Sequence, residues 1–244
     1  MRKQSFEFKQ YVSFWAETVK NPKAVSVSVE SVGSKEWAAL AEGYYTMLKW
    51  AGIRSDWVIV EIGFGNGKVP YMLEREGAIP NGAYYGFDII ERDIEYCQRT
   101  FTSKNFHFNI IENNSLRLPE AFADCVFLMS VFTHVDEITI RDYLRQIRRI
   151  LKPAGLCIFS IHLSPQGQPR QRTIAIAQYS FDEIRKIASS LGFYAYKFTK
   201  YPDLSSDRYV PGSSDGPYGL QFPFIVSNAP LINSELSQLW LPSS

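Results

Sequence analysis

Residues 57–70 read WVIVEIGFGNGKVP, and this stretch decides the fold. Apart from one glutamate, its first part is apolar and rich in β-branched side chains, which predicts a buried strand. Every second residue is then glycine over 63–67, as expected of a tight turn. From Lys68 the pattern is compatible with a helix, with Pro70 in the first turn, where proline is tolerated. A strand, a glycine turn and a helix in this order present backbone N–H groups and the positive end of a helix to a ligand.

The spacing of the glycines bears on the kind of ligand. Dinucleotide-binding turns follow the pattern G-x-G-x-x-G. Here Gly63, Gly65 and Gly67 follow G-x-G-x-G, so the third glycine comes one position early. Glu61 stands two residues before the first glycine. On this stretch alone, a plain turn, a nucleotide site and a site for a sulfonium cofactor all remain open.

Strands alternate with helices along most of the chain. The predicted strands cover 57–62, 83–89, 106–111, 124–132, 156–161, 194–198 and 220–226. The predicted helices of this repeat cover 68–76, 91–101, 136–151 and 180–191. The alternation predicts a doubly wound, mostly parallel α/β sheet. Pro223 lies inside the last strand and predicts an edge position or a bulge there.

The helix predicted over 136–151 is the most regular in the sequence. Its apolar residues recur at helical spacing, and Asp136 suits the N-cap position. The outer face of the helix holds four arginines: Arg141, Arg145, Arg148 and Arg149. They fit either an RNA-binding patch or a solvated helix face. We expect the solvated face, because charge runs on helices are usually of that kind.

The composition is that of an ordinary globular protein of one domain. Of 244 residues, 45% are hydrophobic and 21% are charged, and the net charge of +1 offers no strong field to nucleic acid or an anionic membrane. No apolar run reaches the roughly 18 residues of a membrane span, and the first residues do not resemble a signal peptide. The three cysteines are far apart and form no C-x-x-C pair, which favours reduced thiols in a cytoplasmic protein.

Open sheets of parallel strands bind ligands beyond the carboxyl ends of the strands. We therefore expect functional residues directly after each of the first five predicted strands. These positions are 61–67, Asp88, 112–115, 130–136 and His162. The glycine turn over 63–67 lies in the first of them.

These positions carry an ordered set of motifs. VIVEIGFGNG is followed by YYGFDI, which ends near Asp88, and then by ENNS, DCVFLMSVFTHV and LKPAG. In this order they resemble the class I S-adenosylmethionine (SAM)-dependent methyltransferases over roughly residues 57–200. The pair SVFTHV and LKPAG is similar to bacterial small-molecule methyltransferases. The resemblance implies an enzyme with a Rossmann-like methyltransferase fold of seven strands, the last of them antiparallel. It also implies SAM as cofactor and S-adenosylhomocysteine (SAH) as product.

The resemblance also implies roles for the residues that match its motifs. Glu61 and the loop over 63–67 would meet the methionine part of SAM, with the carboxylate against the α-amino group. Asp88 would accept hydrogen bonds from both ribose hydroxyls, because a carboxylate offers two acceptor oxygens. Ile89 would pack on the adenine, and Ser130 would line the side of methyl transfer. The expected cofactor-binding residues are Glu61, Gly63, Phe64, Gly65, Gly67, Asp88, Ile89, Asn114, Ser115 and Ser130.

One of these positions departs from the family pattern. Asn114 stands where the family usually has an acid that holds the adenine amino group, although an amide oxygen can still accept from an amine. Structural interpretations also stay open for several residues. Glu61 would serve equally as the partner of a lysine, and Asp88 as the cap of the next helix. Asn114 would serve as a turn residue, and Phe64 as part of the core.

Two of the three histidines are candidate general bases, because methyl transfer to a hydroxyl benefits from one. His134 and His162 follow strands at the expected ligand edge and are the candidate catalytic residues. The structural alternatives are a helix-entry residue bonded to the backbone for His134 and packing for His162. His107 lies inside a strand and is expected to be structural. No spacing of His, Asp and Glu suggests a metal site.

The acceptor should be bound by segments outside the α/β repeat. Residues 1–50 predict a helical lid, followed by a SAM-binding domain over 51–230. That domain includes a long loop at 201–219, and 231–244 form a C-terminal tail. We expect transfer to a hydroxyl oxygen of a small molecule, without nucleic-acid or membrane partners. The alternatives are a nitrogen acceptor on a small molecule, protein or nucleic acid, and a dinucleotide-dependent oxidoreductase.

Overall fold

The computed structural model describes residues 4–18, 20, 29–163, 177–199 and 221–240. The helices among them are α1 (Gln4–Thr18), α2 (Lys35–Trp50), α3 (Lys68–Arg75), α4 (Glu91–Thr100), α5 (Glu137–Ile150) and α6 (Phe181–Ser190), with a 3₁₀ turn at Val29–Ser31. The strands are β1 (Val58–Ile62), β2 (Ala83–Asp88), β3 (Phe106–Ile110), β4 (Ala123–Leu128), β5 (Leu151–Leu163), β6 (Gln178–Tyr179), β7 (Tyr194–Phe198), β8 (Gln221–Ser227) and β9 (Leu236–Trp240). All seven predicted strands are present, and β6 and β9 are additional.

The chain forms two compact units. The first comprises residues 1–48 and 53–117, and the second comprises residues 49–52 and 118–244. In the first unit the strand order is β3-β2-β1, and both neighbouring pairs are parallel. In the second unit the order is β4-β5-β8-β7-β9, with β6 beside β5. The pairs β4–β5 and β5–β6 are parallel. Strand β8 is antiparallel to β5 and β7, and β9 is antiparallel to β7. This arrangement confirms the expected mixed α/β class.

Strand β1 is buried in the core of the first unit. Its consecutive residues Ile59 and Val60 are both fully buried, which is why the strand appears in the sequence as a continuous apolar run. Helix α2 contributes Trp37 and Ala41, which pack with Met72 of α3. The residues that precede β1 are therefore part of this core.

Helices α5 and α6 of the second unit both begin with a side-chain cap, and the cap of α5 at Asp136 was predicted. The Asp136 carboxylate accepts a hydrogen bond from the backbone N–H of Thr139 at 2.8 Å at the start of α5. Ser180 and Glu183 form a reciprocal capping box at the start of α6. The apolar stripe of α5 is buried: Ile140, Tyr143, Leu144, Ile147 and Ile150.

Two strand boundaries differ from the sequence prediction. Strand β4 ends at Leu128 rather than at 132, and Ser130 has a left-handed φ of 60°, which is incompatible with an extended strand. Strand β5 begins at Leu151, directly after α5. Its first residue pairs with Ala123 of β4, so the LKPAG segment belongs to a strand and is not a loop that stops the helix.

Strand β8 is not an edge strand, contrary to the expectation from Pro223. It pairs with β5 on one side and with β7 on the other. Pro223 lies opposite Ser160 of β5, and the β8 residues that pair with β7 are Ile225, Val226 and Ser227. Pro223 is thus paired on the β5 side only and precedes the residues that pair with β7.

The arginines of α5 are bound within the second unit. Two form ion pairs on the same helix, and two donate to backbone carbonyl groups. The pairs are Arg141–Glu137 and Arg145–Asp142, and the carbonyl groups are those of Leu191 for Arg148 and Leu118 for Arg149. This favours the structural interpretation of the basic face over an RNA-binding patch.

The segments outside the repeat are described in part. The two helices predicted within residues 1–50 are present as α1 and α2. The loop at 201–219 lies outside the described residues, and the segment interpreted as a tail contains strand β9. Within the described part of the chain, none of the helices has the length and apolar character needed to cross a membrane. All three cysteines are free and buried.

Candidate cofactor and catalytic site

The turn after β1 is a backbone corner held by its own hydrogen bonds. The N–H of Gly63 donates to the carbonyl of Phe87 at 2.7 Å, and the N–H of Gly67 donates to the carbonyl of Phe64 at 3.1 Å. Gly63, Gly65 and Gly67 have left-handed φ values of 75°, 51° and 82°. Another residue would cost about 1–2 kcal/mol at each of these positions. The alternating glycines are therefore required by the path of the chain.

Gly65 and Gly67 have different surroundings. A Cβ atom at Gly67 would lie 2.6 Å from the ring of Phe101 and 3.0 Å from the sulfur of Cys97, so this glycine permits close packing against α4. A Cβ atom at Gly65 would have no described atom within 4 Å. The backbone at Gly65 is therefore open to close approach by a ligand.

Asp88 ends β2 beside this loop, and its buried carboxylate holds three backbone N–H groups. Oδ2 accepts from Gly65 at 2.8 Å, and Oδ1 accepts from Ile89 at 2.7 Å and Ile90 at 3.1 Å. Burial raises the pKa of Asp88, while the three N–H groups act in the opposite direction. A carboxylate has about four acceptor positions, so about one remains for a ribose hydroxyl. A second ribose contact would require the release of one of these N–H groups.

Glu61 lies on β1, two residues before the loop, and is only 3% exposed. Its Oε2 accepts a hydrogen bond from the hydroxyl of Tyr84 at 2.6 Å. Burial raises the pKa of Glu61 to about 8, although the Tyr84 hydrogen bond and the Lys68 cation act to lower it. An ammonium group beside such a buried carboxyl stabilises its charged form, because the ion pair offsets the cost of desolvation.

Two buried polar residues in the same corner were not anticipated from the sequence. Lys68 is 6% exposed, and its Nζ donates to Oδ1 of Asn66 at 2.7 Å. The same oxygen accepts from the indole Nε1 of Trp37 at 3.0 Å. Burial lowers the pKa of Lys68 to about 8, against the influence of the Glu61 and Asp93 carboxylates. The lysine foreseen as an alternative partner of Glu61 is thus present nearby, together with a network that links it to the N-terminal residues.

Phe64 and Ile89 are placed differently beside the corner. Phe64 is buried, and its ring lies edge-on to that of Phe108 at 5.3 Å, so its side chain belongs to the core. Ile89 follows Asp88 directly and is half-buried, which leaves apolar surface for a flat ring. Of the two, Ile89 therefore offers the side-chain contact.

Asn113 and Asn114 form a tight turn after β3. Both have left-handed φ values, 53° and 56°, and the N–H of Ser115 closes the turn on the carbonyl of Glu112 at 3.0 Å. Asparagine adopts this backbone conformation more readily than most residues, which explains an amide at position 114. Asn114 is half-buried and Ser115 is exposed. The geometry supports the turn interpretation, and an adenine contact by Asn114 stays a prediction.

In the second unit, Ser130, Ser160 and Gln221 form a hydrogen-bonded group. The N–H of Ser130 donates to the hydroxyl of Ser160 at 2.8 Å. Oε1 of Gln221 accepts from the hydroxyls of Ser130 at 3.0 Å and Ser160 at 3.1 Å. Because these bonds fix the amide oxygen, the Nε2 group of Gln221 is a donor of defined direction.

His134 and His162 come together in the second unit, as their positions after strands predicted. Their ring centroids are 6.3 Å apart and the rings are nearly perpendicular, at 84°. His162 is 8% exposed and lies opposite Gln178 on one side and Gln221 on the other, so polar side chains share one row of the sheet. The N–H of His134 donates to the carbonyl of Val131 at 3.1 Å, which is the expected backbone contact at a helix entry.

The described residues contain no group of three or more His, Cys, Asp or Glu side chains that could hold a metal ion. The third histidine, His107, is exposed and stacks on Tyr85 with ring centroids 4.5 Å apart, in accordance with a structural role. Two groups of polar residues are candidates for chemistry. The glycine corner of the first unit comprises residues 61–68 with Asp88. The histidine row of the second unit comprises His134, His162, Gln178 and Gln221.

Comparison with known proteins finds a match to a methyltransferase domain over part of the chain. Residues 60–159 match the family model of a methyltransferase domain. A SAM-dependent methyltransferase from Aquifex aeolicus is 18% identical with a TM-score of 0.57, over 81% of this chain and 94% of that chain. One from Leishmania major is 12% identical with a TM-score of 0.63, over 90% and 81%. Phosphoethanolamine N-methyltransferase 2 from Haemonchus contortus, in complex with SAM, is 15% identical with a TM-score of 0.54, over 65% and 38%.

The matched segment resembles a methyltransferase domain, and the compared structures share the fold of this chain. Two of these proteins are named as SAM-dependent methyltransferases and the third was solved in complex with SAM, the cofactor that the sequence motifs predict for this chain. These findings favour a methyltransferase over the dinucleotide oxidoreductase alternative. The first unit fits this cofactor, because buried carboxyl groups of Glu61 and Asp88 flank a loop whose backbone is open at Gly65.

Proposed function

We propose that the enzyme transfers the methyl group of SAM to a hydroxyl oxygen of a small-molecule acceptor. The observation that carries this proposal is the histidine pair of the second unit, with ring centroids 6.3 Å apart. Imidazole titrates close to neutral pH, so a neutral histidine can take the proton that a hydroxyl loses on methylation. Gln178 and Gln221, which lie opposite His162 on the neighbouring strands, supply hydrogen-bonding groups for a polar acceptor.

The second unit supplies the chemistry of the acceptor in this proposal. A neutral hydroxyl is a weak nucleophile, and His162 accepts its proton at a ring nitrogen as the new bond to carbon forms. His134 stabilises the imidazolium that forms on His162. The oriented Nε2 group of Gln221 donates to an oxygen of the acceptor, and Ser130 holds Gln221 in place. Alignment of the acceptor provides much of the remaining rate enhancement.

The first unit holds the cofactor in this proposal. SAM supplies a methyl group on a positively charged sulfur, which is displaced by in-line attack. Glu61 pairs with the α-amino group, and the backbone over 63–67 lies against the methionine part. Asp88 accepts a hydrogen bond from a ribose hydroxyl, Ile89 packs on the adenine, and the turn at 112–115 lies against its amino group.

A small molecule suits this protein better than a nucleic acid. The net charge is +1, and the arginines of α5 are bound to acids and carbonyl groups of their own unit. The Haemonchus contortus protein is named for N-methylation of phosphoethanolamine. A nitrogen acceptor is therefore the alternative outcome of the test.

The test is a screen of phenols, catechols and sugar alcohols against matched amines, with SAM as donor and product mass as readout. His162→Ala should lower turnover on the best acceptor by at least about 100-fold, the usual contribution of a general base, with SAH affinity unchanged. His107→Ala is the matched control and should retain wild-type turnover, because His107 is exposed and stacks on Tyr85.

Two results would contradict the proposal. Methylation of amines alone would move the acceptor atom from oxygen to nitrogen. Wild-type turnover in both His162→Ala and His134→Ala would remove histidine as the base and leave the pair a packing role.

A further inference from the structure

Asn66 is a buried amide at the centre of the glycine loop. It lies between Gly65 and Gly67, and its exposed fraction is 0%. A buried amide needs hydrogen-bond partners, because an unsatisfied polar group costs about 1–3 kcal/mol. The partners of Asn66 therefore identify the segments to which the loop is attached.

These partners come from the N-terminal residues and from the start of α3. Oδ1 of Asn66 accepts from Nε1 of Trp37 at 3.0 Å and from Nζ of Lys68 at 2.7 Å. Nδ2 of Asn66 donates to the hydroxyl of Ser31 at 3.3 Å. Trp37 lies in the first turn of α2, and Ser31 ends the 3₁₀ turn that precedes it. One side chain thus joins three segments of the first unit.

Trp37 is held in place by apolar packing. It is 2% exposed and packs with Ala41 of its own helix and with Met72 of α3. Its ring also lies edge-on to that of Tyr71 at 5.0 Å. The packing of α2 on α3 therefore sets the direction in which the indole N–H points.

Lys68 is a cation in a costly position. It is the first residue of α3, where the helix dipole disfavours positive charge, and it is almost completely buried. The carboxylates of Glu61 and Asp93 act to keep it charged. An apolar residue would fill this position at a lower desolvation cost. The cation therefore has a role in the corner, where it holds the Asn66 oxygen and acts on Glu61.

The opposite side of the loop is held by Asp88. The N–H of Gly65 donates to Oδ2 of Asp88 at 2.8 Å, one residue before Asn66. The loop is thus fixed by a carboxylate on one side and by the Asn66 network on the other. Loss of either side would free a backbone segment that glycine makes intrinsically flexible.

We propose that Trp37, Asn66 and Lys68 are positioning residues for SAM, and that helix α2 acts through Asn66 to set the conformation of the cofactor-binding loop. The proposal rests on the proposed cofactor role of that loop. It makes the N-terminal segment a part of the cofactor site as well as a candidate lid for the acceptor.

Calorimetric titration of SAH into four proteins tests this coupling: wild type, Trp37→Phe, Asn66→Ala and the double variant. Trp37→Phe removes the N–H donor and keeps an aromatic ring in the core. It should weaken SAH binding roughly threefold to tenfold, as loss of one hydrogen bond does. Asn66→Ala should weaken binding further. The double variant should bind no more weakly than Asn66→Ala, because both substitutions remove the same bond.

Two further variants separate positioning from a general structural role. Trp57→Phe is the matched control. Trp57 is also a buried tryptophan of the first unit, but it precedes the first residue of β1, whereas the glycine loop follows the last. It should retain wild-type SAH affinity. Asn66→Asp keeps an acceptor for Trp37 and Lys68, so it should bind SAH more tightly than Asn66→Ala. It also serves as the second variant if Asn66→Ala does not fold.

The outcomes distinguish a failure of the positioning role from a failure of the proposed cofactor site. Wild-type SAH affinity in Trp37→Phe, measured well below its melting temperature, would overturn the positioning role. Additive losses in the double variant would show that Trp37 does not act through Asn66 and would overturn it as well. Absence of SAH binding to the wild type would instead overturn the proposed cofactor site itself.

Discussion

At the scale of the residue, the corner contains two buried carboxyl groups in different surroundings. Asp88 holds three backbone N–H groups and so organises the loop even without a ligand. Glu61 is bonded to the hydroxyl of Tyr84 and has its pKa raised to about 8 by burial. Glu61 is therefore the carboxyl whose charge state should change when an ammonium group binds.

SAH affinity should rise between pH 6 and pH 8. With a pKa of about 8, Glu61 is mostly protonated at pH 6 and must lose its proton to pair with the α-ammonium group of SAH. The affinity should increase by up to about tenfold per pH unit below that pKa and level off above it. Calorimetry in two buffers of different protonation enthalpy should show release of up to one proton per SAH bound at pH 7.

Glu61→Gln is the control for this pH dependence. Lys68 also has a pKa of about 8, so the variant is needed to assign the proton to Glu61. The variant should bind SAH weakly, without the rise toward pH 8. A wild-type affinity that stays constant from pH 6 to pH 8 would contradict the pairing of Glu61 with the amino group.

At the scale of the element, β1, the glycine loop and α3 form a strand–turn–helix unit. Two glycines of its loop have different roles. Gly67 permits the packing of Phe101 and Cys97 against the start of α3. Gly65 leaves the backbone open where the ligand should lie. Two alanine substitutions therefore distinguish packing from binding.

Gly67→Ala should lower the free energy of unfolding by about 2–5 kcal/mol, from the left-handed backbone together with the steric clash. Gly65→Ala should cost only about 1–2 kcal/mol of stability, yet weaken SAH binding at least about tenfold, by more than 1.4 kcal/mol. Chemical denaturation and SAH titration measure the two effects. Gly77 has a φ of 57° and open surroundings, so Gly77→Ala is the matched control and should leave SAH affinity unchanged. Wild-type affinity in Gly65→Ala would place the ligand elsewhere.

The elements themselves were largely predictable, because their signals are local. WVIVEI is apolar apart from Glu61 because both faces of β1 are buried, and Asp136 and Ser180 are local capping signals. The errors arose where long-range pairing decides the structure. Strand β9 exists through its pairing with β7, and the end of β4 is set by the left-handed backbone of Ser130 in an otherwise apolar run.

The candidate site was chosen from the sequence by the same kind of local signal, and the roles of its residues stay predictions. Glu61 and Asp88 lie near the carboxyl ends of β1 and β2, and the glycines follow β1 directly. Asn66 and Lys68 stand in the same motif, but their importance depends on Trp37, which is 29 residues from Asn66 in the sequence. Gln221 likewise reaches Ser130 across 91 residues. Neither contact has a local signal.

At the scale of the whole molecule, the chain consists of two compact units with different proposed tasks. Except for Ser130, the expected cofactor residues all lie in the first unit, and the histidine row lies in the second. Binding of SAH alone should therefore change mainly the first unit.

Hydrogen–deuterium exchange measured by mass spectrometry should show this distribution. SAH should slow exchange most in peptides that cover β1 with its loop and the β2–α4 junction, because their N–H groups lie in the proposed site. Peptides that cover β7 and β9 should exchange at the same rate with and without SAH, and they serve as the internal control. Protection confined to the second unit would show that the proposed site is wrong.

The most direct test of the cofactor corner is a crystal structure of the complex with SAH. The account requires the amino group of SAH within hydrogen-bond distance of the Glu61 carboxylate, its ribose at Asp88, and its methionine part against the backbone at Gly65. SAH bound at another place, with the corner closed by protein side chains, would contradict it.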